Sequence, residues 1–336
     1  MTHAAITGWG KCLPPAVLSN HDLSSLLDTS DEWIVSRTGI HERRISHVGL
    51  EELAYVAAAR ALAAAAIPGS SIELIVFGTC SHEDQVPNMA SGIQVRIGAQ
   101  AAAAFDINTA CTSFLYGLSA ATALIRTQVV RNAVVIGAEL ISPFMDWSDR
   151  DVAVLFGDGA AAVVLEASDR EEGVLAEKLG CYGDARETLR VQGMSSACED
   201  TLTRLNFRPQ DVDLVVPHQA NLRIIEAVAR RTRVPLERVY VNIQRYGNMS
   251  AATVPVALCE ALEEERVRPG ALLLMPGFGG GLSYCAHLVR WGSRTTPLQS
   301  SAVELPPNER PALQIIRECL ERKTRPSAAA PTAPFA

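Results

Sequence analysis

The 336-residue sequence has no excess of positive charge and no long apolar run. Lys and Arg number 30 against 37 Asp and Glu, and the resulting net charge of −7 argues against broad binding to nucleic acid or to an anionic membrane. A membrane helix needs about 20 consecutive apolar residues, whereas the Ala-rich stretch 56–67 is too short and contains Arg60. Neither nucleic acid nor membrane is therefore expected as a partner.

Cysteine patterns of metal sites and redox motifs are also missing. The eight cysteines include no CxxC pair and no spacing typical of metal ligands, and several lie within apolar runs. The first eight residues lack the basic start and continuous apolar stretch of a secretory signal, and they are typical of a strand. Reduced thiols in a cytoplasmic protein are the simplest interpretation.

What the chain does contain is an alternation of strand and helix patterns, with 48% hydrophobic residues. Predicted strands include residues 72–78, 103–107, 133–137, 152–156, 160–165, 212–216, 239–241 and 271–276. Predicted helices include residues 50–66, 88–97, 111–126, 220–231, 250–264 and 312–322. This density of alternation predicts an α/β fold in which helices cover the faces of a sheet.

Cys111 lies where the predicted strand 103–107 gives way to a predicted helix. A thiol at a helix N-terminus faces unsatisfied N–H groups and the positive end of the helix dipole, and both favour the nucleophilic thiolate. The alternative is that Cys111 is a small buried core residue, as free cysteines often are. This segment alone leaves both interpretations open.

Two further polar residues follow apolar strands in the second half of the chain. His218 comes directly after the predicted strand 212–216, and Asn248 lies in a Gly-Asn turn before an Ala-rich helix. Each is compatible with a purely structural role. Active sites of open α/β sheets, however, collect at the carboxyl ends of strands. Together with Cys111, these residues therefore indicate one shared catalytic site.

The segments around these residues resemble the Cys-His-Asn triad of the β-ketoacyl-acyl-carrier-protein synthase III family. The matching segments are 105–118, the run His218-Gln219-Ala220-Asn221, and the Gly247-Asn248 turn. Further matching stretches follow in the family's order at residues 29–40, 156–160, 277–281 and 288–291. The resemblance covers roughly residues 4–291 and is specific, because so many separate motifs are not expected to co-occur in order by chance.

The resemblance implies a thiolase-like five-layer αβαβα fold built from two duplicated halves. Residues 1–168 form the half that carries the nucleophilic Cys, and residues 169–291 form the half that carries His and Asn. Residues 292–336 form a C-terminal extension, in which a short helix over 311–322 is followed by a Pro/Ala-rich tail expected to be disordered.

The resemblance also implies roles for individual residues. Cys111, His218 and Asn248 are the catalytic residues, and the amides of Cys111 and Gly280 form the oxyanion hole. Residues expected to bind coenzyme A or substrate are Trp33, Arg37, Arg150, Gly193, Ala220 and Asn221. Arg223 is expected to dock the carrier protein. The alternatives are a Trp33 that only packs its helix and Arg37 and Arg150 side chains that are only solvated, and Arg223 could equally be a plain surface charge.

The implied reaction is a decarboxylative Claisen condensation primed by acyl-CoA. Cys111 takes the acyl group as a thioester, and a malonyl-acyl-carrier-protein or malonyl-CoA then gives a 3-oxoacyl thioester. The implied enzyme is a 3-oxoacyl-[acyl-carrier-protein] synthase III-like acyltransferase. It uses coenzyme A thioesters as substrates and needs no metal or other cofactor. The implied partners are acyl carrier protein and a second copy of the chain in a homodimer.

The sequence departs from the family in one internal stretch, and this departure suggests an alternative function. The stretch between Gly157 and His218 is shorter than in typical members by a couple of dozen residues, which alters a wall of the acyl pocket and of the pantetheine tunnel. A wider mouth could suit a non-decarboxylating acyltransferase of specialised metabolism that moves the acyl group from Cys111 to a hydroxyl or amine. A non-catalytic partner subunit is a third hypothesis, and the retained Cys111 argues against it.

Val86 lies in a loop that, in the family, reaches into the acyl pocket of the partner subunit. A bulkier aromatic residue is often found at this position. The smaller Val86 leaves more pocket volume, which predicts that the enzyme accepts acyl chains longer than acetyl.

Overall fold

The computed structural model describes residues 2–82, 84, 86–183 and 192–324. Its strands are β1 (His3–Cys12), β2 (Ala16–Ser19), β3 (Glu42–Ile45), β4 (Leu74–Gly78), β5 (Ala103–Ile107), β6 (Asn132–Glu139), β7 (Gly159–Ser168), β8 (Gly173–Cys181), β9 (Leu214–Val215), β10 (Leu272–Gly279) and β11 (Ser283–Arg290). Its helices are α1 (Asn20–Leu23), α2 (Asp31–Thr38), α3 (Leu50–Ala65), α4 (Met89–Arg96), α5 (Ser113–Arg126), α6 (Arg150–Ala153), α7 (Gln192–Arg204), α8 (Leu222–Thr232), α9 (Ile243–Tyr246), α10 (Thr253–Glu263) and α11 (Ala312–Thr324).

The strands form two large sheets. The first has the order β1-β7-β6-β4-β5, with β4 parallel to both β5 and β6, and β7 antiparallel to its neighbours. The second has the order β8-β11-β10-β9, and a small third sheet pairs β2 with β3. Central strands such as β4 are buried along their whole length, as the continuous apolar run of a strand covered on both faces predicts. The chain passes from the first sheet to the second between Ser168 and Gly173.

Helices and sheets stack in five layers separated by apolar clusters. Helix α3 packs on the outer face of the first sheet, where Ala57 shares a cluster with Val134. Helices α5 and α10 lie between the two sheets, where Leu118 and Val254 share a cluster with Met275. Helix α7 covers the outer face of the second sheet and packs against α8. Within the described ranges, no helix combines the length and apolar character that a membrane span requires.

Two predicted strands are wrong. The apolar run 152–156 begins inside the short helix α6, because the Asp149 side chain accepts the Asp151 N–H and caps a helical turn. The rest of the run contributes only one isolated β-bridge, between Phe156 and Asn248. Residues 239–241 likewise contribute a single bridge, from Val239 to Val215. In both places capping and local turns override the β-branched composition.

The C-terminal extension folds onto the body of the protein. The Leu298 N–H donates to the carbonyl oxygen of Ala64 at 3.0 Å, and Arg60 pairs with Glu304 at 2.6 Å, so that the segment crosses α3. Helix α11 then packs against β2 and β3 and buries Ile316 almost completely. The predicted helix is therefore present, and the tail predicted to be disordered, 327–336, lies outside the described residues.

Replacing Ile316 with Ala should lower the free energy of unfolding by about 3 kcal/mol, because it leaves a cavity among buried apolar side chains. Urea unfolding followed by circular dichroism measures the change. Leu298→Ala is the matched control on the same segment, since Leu298 is 57% exposed and should cost about 0.5 kcal/mol or less. Equal losses in the two variants would show that α11 does not contribute to the core.

Candidate active site

Cys111 lies in a tight turn between β5 and α5. Ala110 adopts a left-handed conformation with φ of +52°, which is uncommon for a residue other than glycine and redirects the chain. The Ser113 hydroxyl accepts the Thr109 N–H at 2.9 Å and donates to the Ala110 carbonyl oxygen at 2.7 Å, and these bonds hold the turn. The turn presents the thiol, half-buried, at the start of α5.

The environment of the Cys111 thiol raises its pKa to about 11, chiefly because of burial, with a further contribution from the Glu139 carboxyl. Hydrogen bonds from the Ser250 hydroxyl and from the backbone N–H groups of Cys111 and Gly280 lower the pKa but do not offset burial. The thiol is therefore protonated at neutral pH in the ligand-free protein. The thiolate expected from the helix N-terminus alone is wrong for this state.

Two backbone N–H groups converge beside the Cys111 sulfur. One belongs to Cys111 itself and the other to Gly280, directly after β10. The neighbouring Gly279 permits this approach, because a Cβ there would lie 2.8 Å from the Cys111 nitrogen. Two fixed N–H donors close to one sulfur are the arrangement that an oxyanion hole needs.

His218 is fully buried and aligned by a short hydrogen bond. Its Nδ1 lies 2.6 Å from the Thr253 hydroxyl, whereas its Nε2 is buried and has no hydrogen-bond partner within the described part of the chain. Burial lowers the pKa of the imidazole to about 3, so the ring is neutral at physiological pH. The Thr253 hydroxyl has one proton; when it donates to Nδ1 rather than to the Ser250 carbonyl oxygen 3.0 Å away, the ring proton lies on Nε2 and is available to a ligand. A buried polar atom without a partner is a mark of a binding site.

Asn248 is buried in the turn before α10. Its backbone N–H donates to the Leu155 carbonyl oxygen at 2.8 Å, and its Oδ1 accepts the Ser250 N–H at 2.8 Å. Because the oxygen is used in this way, the group that the side chain can offer to a ligand is its NH2.

Ser250 connects the three predicted residues. Its N–H donates to Asn248, its carbonyl oxygen lies 3.0 Å from the Thr253 hydroxyl, which contacts His218, and its own hydroxyl lowers the pKa of the Cys111 thiol. Ser250 itself has a φ of +45°, a strained conformation of the kind that clusters at functional sites. The structure thus brings the thiol, the imidazole and the amide into one site around Ser250.

Ser250 was not among the residues predicted from sequence, and neither was Glu139, a buried carboxyl at the end of β6. A signal for Glu139 does exist, since an acidic residue ends an otherwise apolar strand. Gly78 of β4 pairs with Ile107 of β5 and with Gly137 of β6. The carboxyl ends of these three parallel strands therefore meet at one edge of the sheet.

The residues predicted to bind coenzyme A form a second group. Arg37 and Arg150 place their guanidinium carbons 4.5 Å and 4.6 Å from the centre of the Trp33 ring. The Asn221 side chain caps α8 and donates to the Arg37 carbonyl oxygen at 3.0 Å, which connects α8 to α2. Arg223 donates to the Ser36 carbonyl oxygen at 2.7 Å, so it is more than a free surface charge.

The remaining predicted residues are placed as follows. Ala220 packs against the small apolar cluster that contains Met194. Gly193 lies so close to Tyr284 that a Cβ would be 2.8 Å from the ring. Val86 is 84% exposed and does not line a closed pocket in its own chain. Much of the predicted shortened pocket wall, at 184–191, lies outside the described residues.

Comparisons with known proteins match this sequence to one family. The C-terminal model of 3-oxoacyl-[acyl-carrier-protein] synthase III matches residues 202–291, and the synthase III model matches residues 105–183. A β-ketoacyl-[acyl-carrier-protein] synthase III 2 from Vibrio cholerae is 46% identical over 96% of this chain and 98% of its own length. Its alignment has 354 positions, whereas 96% of 336 residues is about 323, so about 31 positions have no residue of this chain opposite them. These unmatched positions agree with a chain that is shorter than typical members of the family.

Solved structures give the same result. The 3-oxoacyl-[acyl-carrier-protein] synthase III of Aquifex aeolicus is 41% identical, covers 86% of this chain and 100% of its own, and superposes with a TM-score of 0.84. The priming β-ketosynthase of the R1128 polyketide pathway is 29% identical over 87% of this chain and 97% of its own, with a TM-score of 0.83. The predicted thiolase-like fold is confirmed, and the chain belongs to the β-ketoacyl-[acyl-carrier-protein] synthase III family.

Proposed function

We propose that the protein condenses an acyl group from acyl-CoA with a malonyl-acyl-carrier-protein to give a 3-oxoacyl thioester and CO2. The observation that carries this proposal is the group that Ser250 assembles, in which a thiol, a neutral imidazole and an amide share one site. The Vibrio cholerae relative is named for this activity, and the alignment with it covers 98% of its length.

In the first half-reaction, the Cys111 sulfur attacks the thioester carbon of acyl-CoA, and coenzyme A leaves as a thiol, so that the proton lost by Cys111 is balanced by the proton gained by coenzyme A. The carbonyl oxygen becomes negatively charged in the tetrahedral intermediate, and the N–H groups of Cys111 and Gly280 stabilise that charge. The product is an acyl group held on Cys111 as a thioester, which keeps it reactive toward carbon nucleophiles.

In the second half-reaction, the malonyl thioester loses CO2 and places negative charge on its thioester oxygen. The Nε2–H of His218 and the NH2 of Asn248 are neutral donors suited to that oxygen, and neither needs to change its charge. The resulting carbanion attacks the acyl carbon on Cys111, the new carbon–carbon bond forms, and the bond from that carbon to the Cys111 sulfur breaks. These two steps need no cofactor besides the thioester substrates.

The pair of guanidinium groups around Trp33 supports coenzyme A as the carrier of the first substrate. An indole face suits a purine ring, and Arg37 and Arg150 suit phosphate groups. Ala220, Asn221 and Gly193 are proposed to line the path of the pantetheine arm, and Arg223 to contact the carrier protein.

A homodimer is proposed from the edge of the first sheet. Within the described strands, β5 pairs only with β4, so it is an edge strand whose other side has no strand partner. Such an edge is prone to pair with another chain unless it is covered. A two-fold contact through β5 would continue the sheet across both subunits and would cover it.

Incubation with isotope-labelled acyl-CoA, followed by mass spectrometry of peptides, tests the proposal. The label should be on Cys111, and addition of malonyl-acyl-carrier-protein should release CO2 in a 1:1 ratio with the 3-oxoacyl product. The alternative, simple acyl transfer to a hydroxyl or amine, would proceed without CO2. The named relatives do not favour that alternative.

Replacing Val86 with Phe should reduce activity with dodecanoyl-CoA by about tenfold and change activity with acetyl-CoA by less than about twofold, because the added ring would fill pocket volume in the partner subunit. Initial rates with a series of acyl-CoAs measure the effect. Val95→Phe is the matched control, since Val95 is also exposed and should show no dependence on chain length. A uniform loss in Val86→Phe would show that Val86 does not line the pocket.

A further inference from the structure

Glu260 is a buried carboxyl on α10, and the mechanism above leaves it without a role. Two partly exposed cations contact it, because Lys11 Nζ lies 3.0 Å from Oε1 and an Arg245 guanidinium nitrogen lies 2.8 Å from Oε2. Two buried neutral groups also donate to it, the Tyr246 hydroxyl to Oε1 at 2.5 Å and the Asn242 Nδ2 to Oε2 at 3.0 Å. Each oxygen thus accepts from one cation and from one neutral donor. A carboxyl held by four donors has a fixed position and fixes its donors in turn.

The Tyr246 hydroxyl connects Glu260 to the turn that carries Asn248. Tyr246 ends α9, and only Gly247 separates it from Asn248. The Leu155 carbonyl oxygen accepts the Asn248 N–H at 2.8 Å, and a Cβ on Gly247 would lie 2.7 Å from the same oxygen. The bond from Tyr246 to Glu260 therefore fixes one end of the turn, and the bond to Leu155 fixes the other.

Asn242 connects the same carboxyl to the segment that carries His218. The Asn242 N–H donates to the Gln219 Oε1 at 3.1 Å, and the Gln219 Nε2 donates to the Pro217 carbonyl oxygen at 2.8 Å. Pro217 and Gln219 are the two neighbours of His218 in the chain. Helix α10 supplies a further connection, because it begins at Thr253, whose hydroxyl lies 2.6 Å from His218 Nδ1. His218 is thus held to α10 by two routes.

We propose that Glu260 is a positioning residue for decarboxylation, which sets the spacing between the donors of His218 and Asn248. Both donors must point at one oxygen of the malonyl thioester, and a misplacement of about 1 Å can cost about 100-fold in rate. Glu260 acts through Tyr246 and Asn242 rather than on the substrate. This inference rests on the proposed condensation.

The first half-reaction uses different groups, the Cys111 sulfur and the N–H groups of Cys111 and Gly280. In the described part of the chain, no hydrogen bond joins Glu260 or its neutral donors to Cys111 or Gly280. A change in Glu260 should therefore slow CO2 release and leave acylation of Cys111 unaffected.

Two rates measured separately on the full-length protein test the proposal. The first is acetylation of Cys111 by acetyl-CoA, followed by intact-protein mass spectrometry. The second is CO2 release when the acetylated enzyme is mixed with malonyl-acyl-carrier-protein. Glu260→Gln puts an NH2 group in place of one accepting oxygen and loses that bond. It should slow CO2 release at saturating substrate by about 30-fold and change acylation and the KM for malonyl-acyl-carrier-protein by less than about threefold.

Tyr246→Phe keeps the test valid if Glu260→Gln is unstable, because it removes only a hydroxyl group. It should slow CO2 release by about fivefold, since it frees one end of the Asn248 turn and leaves the Asn242 route intact. In an Asn248→Ala background the same change should cost less than about twofold, because the amide that Tyr246 positions is absent. A purely structural role of the hydroxyl would cost the same in both backgrounds.

Lys11→Met is the matched control, since Lys11 contacts the same oxygen of Glu260 as Tyr246 but leads to neither donor. It should keep the ratio of CO2 release to acylation within about twofold of wild type. Equal losses in the two half-reactions, losses of CO2 release below threefold in both test variants, or a Tyr246→Phe loss that Asn248→Ala does not diminish would overturn the positioning role alone. Absence of CO2 release by the wild-type protein would instead overturn the proposed function.

Discussion

Replacing Cys111 with Ala is expected to abolish the acyl-enzyme and to reduce condensation by about 10⁴-fold or more, because a covalent intermediate cannot form without its nucleophile. Intact-protein mass spectrometry after incubation with acyl-CoA gives the first quantity. The rate of formation of the 3-oxoacyl product gives the second.

Cys181→Ala is the control for this experiment, because Cys181 is an exposed free thiol at the end of β8. It should retain both labelling and condensation. Labelling that persists in Cys111→Ala and disappears in Cys181→Ala would place the acyl group on the wrong cysteine and contradict the mechanism.

Replacing His218 with Ala should leave acylation of Cys111 within a few-fold of wild type but reduce condensation by about 10³-fold, because it removes one of two donors to the enolate oxygen. Acylation and CO2 release are therefore measured separately. Asn248→Ala should show the same split. Because the pKa of His218 is about 3, the decarboxylation step should show no loss of rate as the pH falls from 8 to 5.

An equal loss of acylation and CO2 release in His218→Ala would assign His218 to both half-reactions and would contradict the division of roles. A decarboxylation rate that falls as the pH drops below 6.5, the ordinary pKa of histidine, would contradict the assignment of a neutral imidazole. Thermal unfolding of the variant serves as the control for a general loss of structure.

The positions of Cys111, His218 and Asn248 relative to the strands could be predicted from sequence, because each follows an apolar run within a few residues. Glu139 does end an apolar strand, but its contact with the turn at Ser250 and Ala251 could not be predicted, because the residues are more than 100 positions apart in sequence. The protonated state of Cys111 was missed for a related reason. A helix dipole is a local feature, whereas burial depends on the whole fold.

Several predictions from sequence stay predictions. The division into halves at 168 and 169 is one, although the chain does change sheets between Ser168 and Gly173. The cytoplasmic location, the homodimer and the carrier-protein contact of Arg223 are others. The last three depend on a partner or a compartment, which a single folded chain does not contain.

The docking of α11 has a consequence for how the protein is made. Leu18 and Ile45, on the small sheet near the N-terminus, share their apolar cluster with Ile315 and Ile316. Chains emerge from the ribosome N-terminus first, so about 300 residues must be synthesised after Leu18 before this cluster can close. Contacts across about 300 residues also slow folding, because the chain must be ordered before they form. Strands β2 and β3 therefore remain partly uncovered in the nascent chain until α11 has been synthesised.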